Sequence, residues 1–123
     1  MQKYIQIVED DEDIRFCVRY VLEDANFDVE TFEDATSFNN RERRDNVDLI
    51  ILDVMLPDGN GIDLCKHLKG DYHTNGIPVL IMSAHARQQN ILEDACANDF
   101  ISKPFDIDYF LNRVKTNLQM VSS

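Results

Sequence analysis

No stretch of this chain comes near the ~20 consecutive apolar residues that a membrane-spanning helix needs. The first residues, MQKYIQIV, lack the basic start, long apolar middle and small-residue cleavage site of a signal peptide. No membrane association is therefore expected, and a cytoplasmic location is. Cysteine is scarce and odd in number. Cys17, Cys65 and Cys96 show no CxxC or Cys/His spacing, so neither a disulfide framework nor a zinc site is expected; they read as reduced, partly buried small hydrophobes. Basic residues are few, 12 Lys and Arg against 23 Asp and Glu, for a formal net charge of −11. Such a surface repels a phosphate backbone, which argues against direct nucleic-acid binding. The one basic cluster, Arg41 to Arg44 (RERR), carries its own Glu42 and reads as a solvated helix end, with arginines near the negative pole. No repeat or low-complexity linker divides the 123 residues, which suit one domain and are too few for two. A single domain over 1–123 is expected, with no output domain after it.

What the chain does contain is alternation. Tyr4 to Val8, Phe27 to Phe32, Val47 to Leu52, Pro78 to Met82 and Phe100 to Ser102 are short runs rich in Val, Ile and Phe, and they predict strands. After the first run, Ile14, Cys17, Val18, Val21, Leu22 and Ala25 recur at helical spacing. After the last, Ile107, Phe110, Leu111, Val114 and Leu118 do the same. Ile62, Leu64, Cys65 and Leu68 support a helix opened by the turn at Pro57 to Gly61 and stopped near Gly70. The segment Asp34 to Arg44 has only Ala35 and Phe38 to bury and carries Asn39 and Asn40, so its helix should be short. Ile91, Leu92 and Ala95 mark another short helix. Five strands, each followed by a helical segment, imply an α/β fold of the flavodoxin-like, doubly wound kind. Its parallel sheet is covered by helices on both faces and has the order 2-1-3-4-5, with the ligand site where that order reverses, between the first and third strands.

That placement bears on IVEDDED, residues 7–13, in which five acidic side chains follow an apolar strand. Two carboxylates ~5 Å apart repel by roughly 3 kcal/mol at an effective dielectric of ~20. Asp11, Glu12 and Asp13 are explained as the first turn of a helix, where acids favour the positive pole. Glu9 and Asp10 end the first strand and Asp53 ends the third, so three carboxylates should converge. Hard anionic oxygens suit Mg2+, which takes one or two carboxylates and keeps several waters; Asp10 and Asp53 could bind it directly and Glu9 through water. The fourth strand ends in IMSAH, which brings Ser83, and the fifth in FISKPF, which brings Lys103. A carboxylate, a metal, a hydroxyl and an ammonium around one small volume is how proteins hold a transferring phosphoryl group. Asp53, on the central strand, is the candidate nucleophile for an aspartyl phosphate.

The motifs IVEDDEDIR, LIILDVMLPDGNG, IMSA and DFISKPF resemble the receiver domain of bacterial two-component response regulators, in this order and over essentially the whole chain. The strand order stated above is also that family's, so the two expectations are not independent. The resemblance implies that Asp53 accepts a phosphoryl group from a histidine kinase or histidine phosphotransfer protein. It further implies Glu9 and Asp10 as the acidic pair, the Met55 carbonyl as a metal ligand and Lys103 as the phosphoryl contact. Ser83 would be the switch hydroxyl, Phe100 the switch aromatic and Lys103-Pro104 a cis peptide. Taken singly, each residue has a plainer explanation: Asp53 or Ser83 as a helix cap, Lys103 on the surface, Phe100 in the core. Five together at the ends of four strands do not. His85, His67 and His73 read as loop or surface residues.

Two departures fall on one surface. The stretch Ala84 to Asn98 is slightly short, and CAND stands where GADD is common, with Cys96 at the glycine's place; both count against a standard dimer through that face. A Mg2+-dependent phosphohydrolase with an aspartyl phosphate is the alternative function, but such enzymes generally want an Asp two positions after the nucleophile, where this chain has Met55. An Asp-x-Asp metal fold is disfavoured for the same reason. A flavin binder would carry a phosphate loop rich in Ser, Thr and Gly after the first strand, where this chain has acids. The expected output is control of a downstream protein target or of a C-terminal output domain missing from this chain; Met1 makes the C-terminal receiver of a hybrid kinase the less expected setting.

Overall fold

The computed structural model describes residues 2–42, 44, 46–84 and 97–118. In chain order they form β1 (Tyr4–Val8), α1 (Glu12–Asp24), β2 (Asp28–Phe32), α2 (Ala35–Asn39), β3 (Leu49–Asp53), β4 (Met55–Leu56), β5 (Gly59–Asn60), α3 (Gly61–Gly70), β6 (Val79–Ser83), β7 (Asp99–Ser102) and α4 (Ile107–Asn117). The main sheet is parallel with the order β2-β1-β3-β6-β7. This is the expected 2-1-3-4-5 once the two-residue strands β4 and β5 are set aside as a separate antiparallel hairpin. Every residue of β1, β3 and β6 is buried, as a central parallel strand covered on both faces requires. Side chains of a strand alternate between faces, which splits the core. Ile5, Ile7, Ile51, Leu80 and Met82 pack with Val18, Leu22, Phe110 and Val114 of α1 and α4. Val8, Ile50, Leu52 and Ile81 pack on the other face with Phe38, Leu64 and Leu68 of α2 and α3.

The helix ends follow from local chemistry. Asp11 caps α1 by accepting from Ile14 N at 3.1 Å, with Glu12 and Asp13 in the first turn, so these three acids do point to water at the helix start. Beyond α1, Asn26 takes φ 70°, the left-handed conformation that asparagine tolerates at a helix exit. The helix α2 is indeed short, and its buried residues are Ala35 and Phe38. Lys103-Pro104 is cis.

Two expectations need correction. Cys17 is exposed rather than partly buried, while Cys65 is buried: the buried stripe of α1 runs through Val18 and Leu22, about 100° around the helix from Cys17. The basic cluster is only partly a solvated end. Arg41 donates from Nη1 to the Phe38 carbonyl at 2.8 Å and stacks 3.8 Å over the Phe38 ring, and Arg44 lies 4.0 Å over the Tyr4 ring. The predicted helix around Ile91, the Cys96 replacement and His85 lie outside the described residues.

Candidate functional site

Parallel pairing sets the ends of β1, β3, β6 and β7 along one edge. Val8 pairs with Leu52, Asp53 with Met82, and Ser83 with Ser102. The residues just past these pairs therefore share a small volume. One oxygen each of Glu9, Asp10 and Asp53 lies within 4.8 Å of the others. Glu9 is fully buried, Asp53 nearly so, and Asp10 is exposed at the rim. Lys103 reaches in from the loop after β7, its Nζ 2.5 Å from Glu9 Oε1 and 3.0 Å from Asp53 Oδ2. Met55 N donates to Asp53 Oδ1 at 3.2 Å, so both carboxylate oxygens have a partner. Ser83 is buried at the end of β6, and its carbonyl accepts from Lys103 N at 2.9 Å, which joins the two strand ends.

Electrostatics at this edge are strained. Burial, then the hydrogen-bonded carboxyl of Asp53, push Glu9 up from 4.5 to about 8, with Lys103 opposing. Burial pulls Lys103 down, but the hydrogen bonds to Glu9 and Asp53 outweigh it and leave the ammonium above its ordinary value. A donor set of carboxylate oxygens alone, two buried and one facing solvent, fits a hard divalent cation such as Mg2+ rather than a softer metal.

The fold thus brings together Glu9, Asp10, Asp53, Lys103 and Ser83. Met55 lies beside them on β4, its side chain 63% exposed. Phe100, expected as the switch aromatic, is buried, 4% exposed, in the cluster with Val79 and Ile81. His67 and His73 are exposed, as expected.

Sequence reasoning missed two residues. Arg15 donates from Nη1 to the carbonyls of Glu9 at 2.9 Å and Asp10 at 3.4 Å, fixing the loop that carries the acids. Its place four residues after the capping Asp11 was the available signal. Asp58 accepts from Ala35 N and Thr36 N at 2.8 Å and from the Thr36 hydroxyl, tying the β4-β5 hairpin to α2. A cavity of about 550 Å³ between α2 and α3, where α2 stops after five residues, includes none of the converging acids.

Residues 5–115 match the response regulator receiver domain family. The chain belongs to that family. As a receiver domain it is similar to the phosphate regulon transcriptional regulatory protein PhoB of Escherichia coli, 36% identical over 99% of this chain and 54% of that protein. The chain thus spans about half the length of the curated relatives it matches. Among solved structures it is similar to the non-phosphorylated HemR receiver domain of Leptospira biflexa, with 31% identity, 99% and 98% of the two chains covered and a TM-score of 0.87. It is also similar to a BeF3-activated DrrB receiver domain, with 30% identity, 97% and 99% covered and a TM-score of 0.84. The receiver fold and a phosphoacceptor role in two-component signalling follow from this membership; the phosphohydrolase alternative is not favoured. No described helix is long and apolar enough to cross a membrane.

Proposed function

We propose that Asp53 is the phosphoacceptor of this receiver, with a histidine kinase or histidine phosphotransfer protein as donor. The observation that carries the reading is the placement of one carboxylate, on the central strand, between the Lys103 ammonium at 3.0 Å and the acids of β1 within 4.8 Å. An Asp53 oxygen attacks the phosphorus of a donor phosphohistidine protonated on its other ring nitrogen; the O–P bond forms as the P–N bond breaks, and the imidazole leaves neutral, keeping that proton. Lys103 shifts a hydrogen bond from the attacked carboxylate to a phosphoryl oxygen, stabilising charge where it develops. Glu9, Asp10, Asp53 and the Met55 carbonyl would hold Mg2+, which when bound supplies the positive charge that lets a phosphoryl group approach this acidic edge. Ser83 donates to a product oxygen, and its movement, with Phe100, biases the face built from β7 and α4. That face controls either a protein target or an output domain, and the same reading keeps the domain whole over 1–123 and in the cytoplasm.

Incubation with acetyl phosphate and Mg2+, followed by intact mass measurement, tests the assignment. The domain should gain one phosphoryl mass and Asp53→Asn should not. A wild-type chain that never gains it, or an Asn variant that gains it equally, overturns the reading. NMR shifts confined to the pocket after phosphorylation would remove the switch part alone.

A further inference from the structure

Four glycines occur in the chain, and they differ in what a side chain would meet. Nothing lies within 4 Å of a Cβ built at Gly70 or Gly76, and at Gly59 only the Ala35 Cβ does, at 3.1 Å. At Gly61 a Cβ would stand 2.0 Å from the Asp53 carbonyl oxygen, 2.8 Å from its carbonyl carbon and 3.1 Å from the Val54 Cα. All three atoms are main chain, so no neighbouring side chain can swing aside. Conformation is not the reason for this glycine, because no described glycine has positive φ. Close approach is. The first residue of α3 is seated on the peptide of Asp53, and Gly61 N donates to the Val54 carbonyl at 2.8 Å. On the other side Val54 N donates to Met82 O at 3.2 Å. The main chain of the acceptor is thereby clamped between β6 and the start of α3.

We propose that Gly61 is a positioning residue for phosphoryl transfer: its missing side chain lets α3 hold the Asp53 main chain so that the carboxylate stays in register with Glu9 and Lys103. The proposal rests on the reading of Asp53 as acceptor. Ordinary contact begins at 3.4 Å, so an added methyl must move Asp53 or the first turn of α3 by about 1.4 Å. Glu9 and Lys103 come from other strands and do not move with it. A misplacement of ~1 Å at a reacting group costs on the order of 10²-fold in rate.

The test compares initial rates of phosphorylation by acetyl phosphate, and the Mg2+ concentration giving half the maximal rate, in wild type, Gly61→Ala, Leu68→Ala and Asp53→Asn, each below its own melting temperature. Leu68 is a buried residue further along α3 and serves as the control for lost stability alone. Gly61→Ala is expected to react about 100-fold more slowly and to need more Mg2+, while Leu68→Ala stays near wild type. Equal slowing in both variants, or a wild-type rate in Gly61→Ala, overturns the proposal. If Gly61→Ala does not fold, Asn60→Gly takes its place, since it removes the 2.7 Å cap on Ile62 N and frees the first turn without adding an atom. A slower rate with the fold intact then supports the proposal, and an unchanged rate overturns it. Phosphorylation of Asp53→Asn would instead defeat the acceptor reading, and this proposal with it.

Discussion

Neutralising Asp53 separates two opposing contributions to the stability of the metal-free domain. Well above pH 8, where Glu9 is ionised, the Asp53 charge lies within 4.8 Å of charges on Glu9 and Asp10, and at an effective dielectric of ~20 each such pair repels by roughly 3.5 kcal/mol. Asp10 is exposed, so its share is smaller. Against this stands the attraction to Lys103 at 3.0 Å, roughly 5.5 kcal/mol on the same scale. Lys103 keeps Glu9 as a partner in the variant. The two sides nearly cancel, so Asp53→Asn is expected to change metal-free stability by no more than about 2 kcal/mol. Removing one member of a simple buried ion pair would instead cost about 3–5 kcal/mol. Thermal melts followed by circular dichroism distinguish these outcomes, since 1 kcal/mol is roughly 3–6 °C for a domain of this size. Mg2+ at about ten times its dissociation constant should add about 1.4 kcal/mol to the wild type and much less to the variant. A metal-free variant that melts some 10 °C or more below wild type would refute the argument that the acids at this edge repel one another about as strongly as Lys103 attracts them.

Other substitutions probe the same balance. With Glu9 pushed up to about 8 from 4.5 by burial and by Asp53, the folded state holds a proton that the unfolded state has lost. Glu9's contribution to metal-free stability should therefore be full below pH 4.5 and decline as the pH rises to about 8, levelling above it; Glu9→Gln should remove this decline in urea melts at several pH values. Because Mg2+ must displace that proton, its apparent affinity, measured by calorimetry, should rise up to about tenfold per pH unit until about pH 8. Lys103→Ala should tighten Mg2+ binding by removing a competing cation, yet slow phosphorylation by roughly 10²-fold; a joint rise or joint fall would contradict the roles assigned. Gln6 is buried with its Oε1 unpartnered, and its Nε2 only reaches Tyr4 OH and Glu30 Oε1 at 3.4 Å. Gln6→Leu should therefore leave stability unchanged or raise it by up to about 1 kcal/mol in urea melts.

The strands could be read because each is a short run of β-branched and apolar residues, buried throughout in β1, β3 and β6, and the predicted run Val47 to Leu52 stops one residue short of the end of β3. The shortness of α2 was legible for a related reason: beyond Phe38 the chain has only asparagines and charges to offer the core. On α1 the same reasoning overreached. Cys17 was placed on the apolar stripe and is exposed, because helical spacing alone does not fix where the edge of that stripe meets the sheet. Arg41 and Arg44 were taken for solvated charges, but long cationic side chains lay their stems and guanidinium planes on rings that only the tertiary fold supplies.

For the site, what was legible is what sits at strand ends. Register carries Glu9, Asp10, Asp53, Ser83 and Lys103 to one edge whatever the loops do. Gly61 was read merely as a turn glycine, because its requirement comes from the main chain of a residue eight positions earlier, a contact that no local pattern encodes. The roles within IVEDDED also separate only in three dimensions. Asp11 caps a helix, Glu12 and Asp13 lie at its positive pole, and Asp10 faces solvent. At this edge Glu9 and Asp53 are the acids buried among the described residues, and a single ammonium serves both. A divalent cation held by the same oxygens would compete with Lys103 for them. On the proposed reading, the lysine that bridges Glu9 and Asp53 would then be free to meet the oxygens of an incoming phosphoryl group.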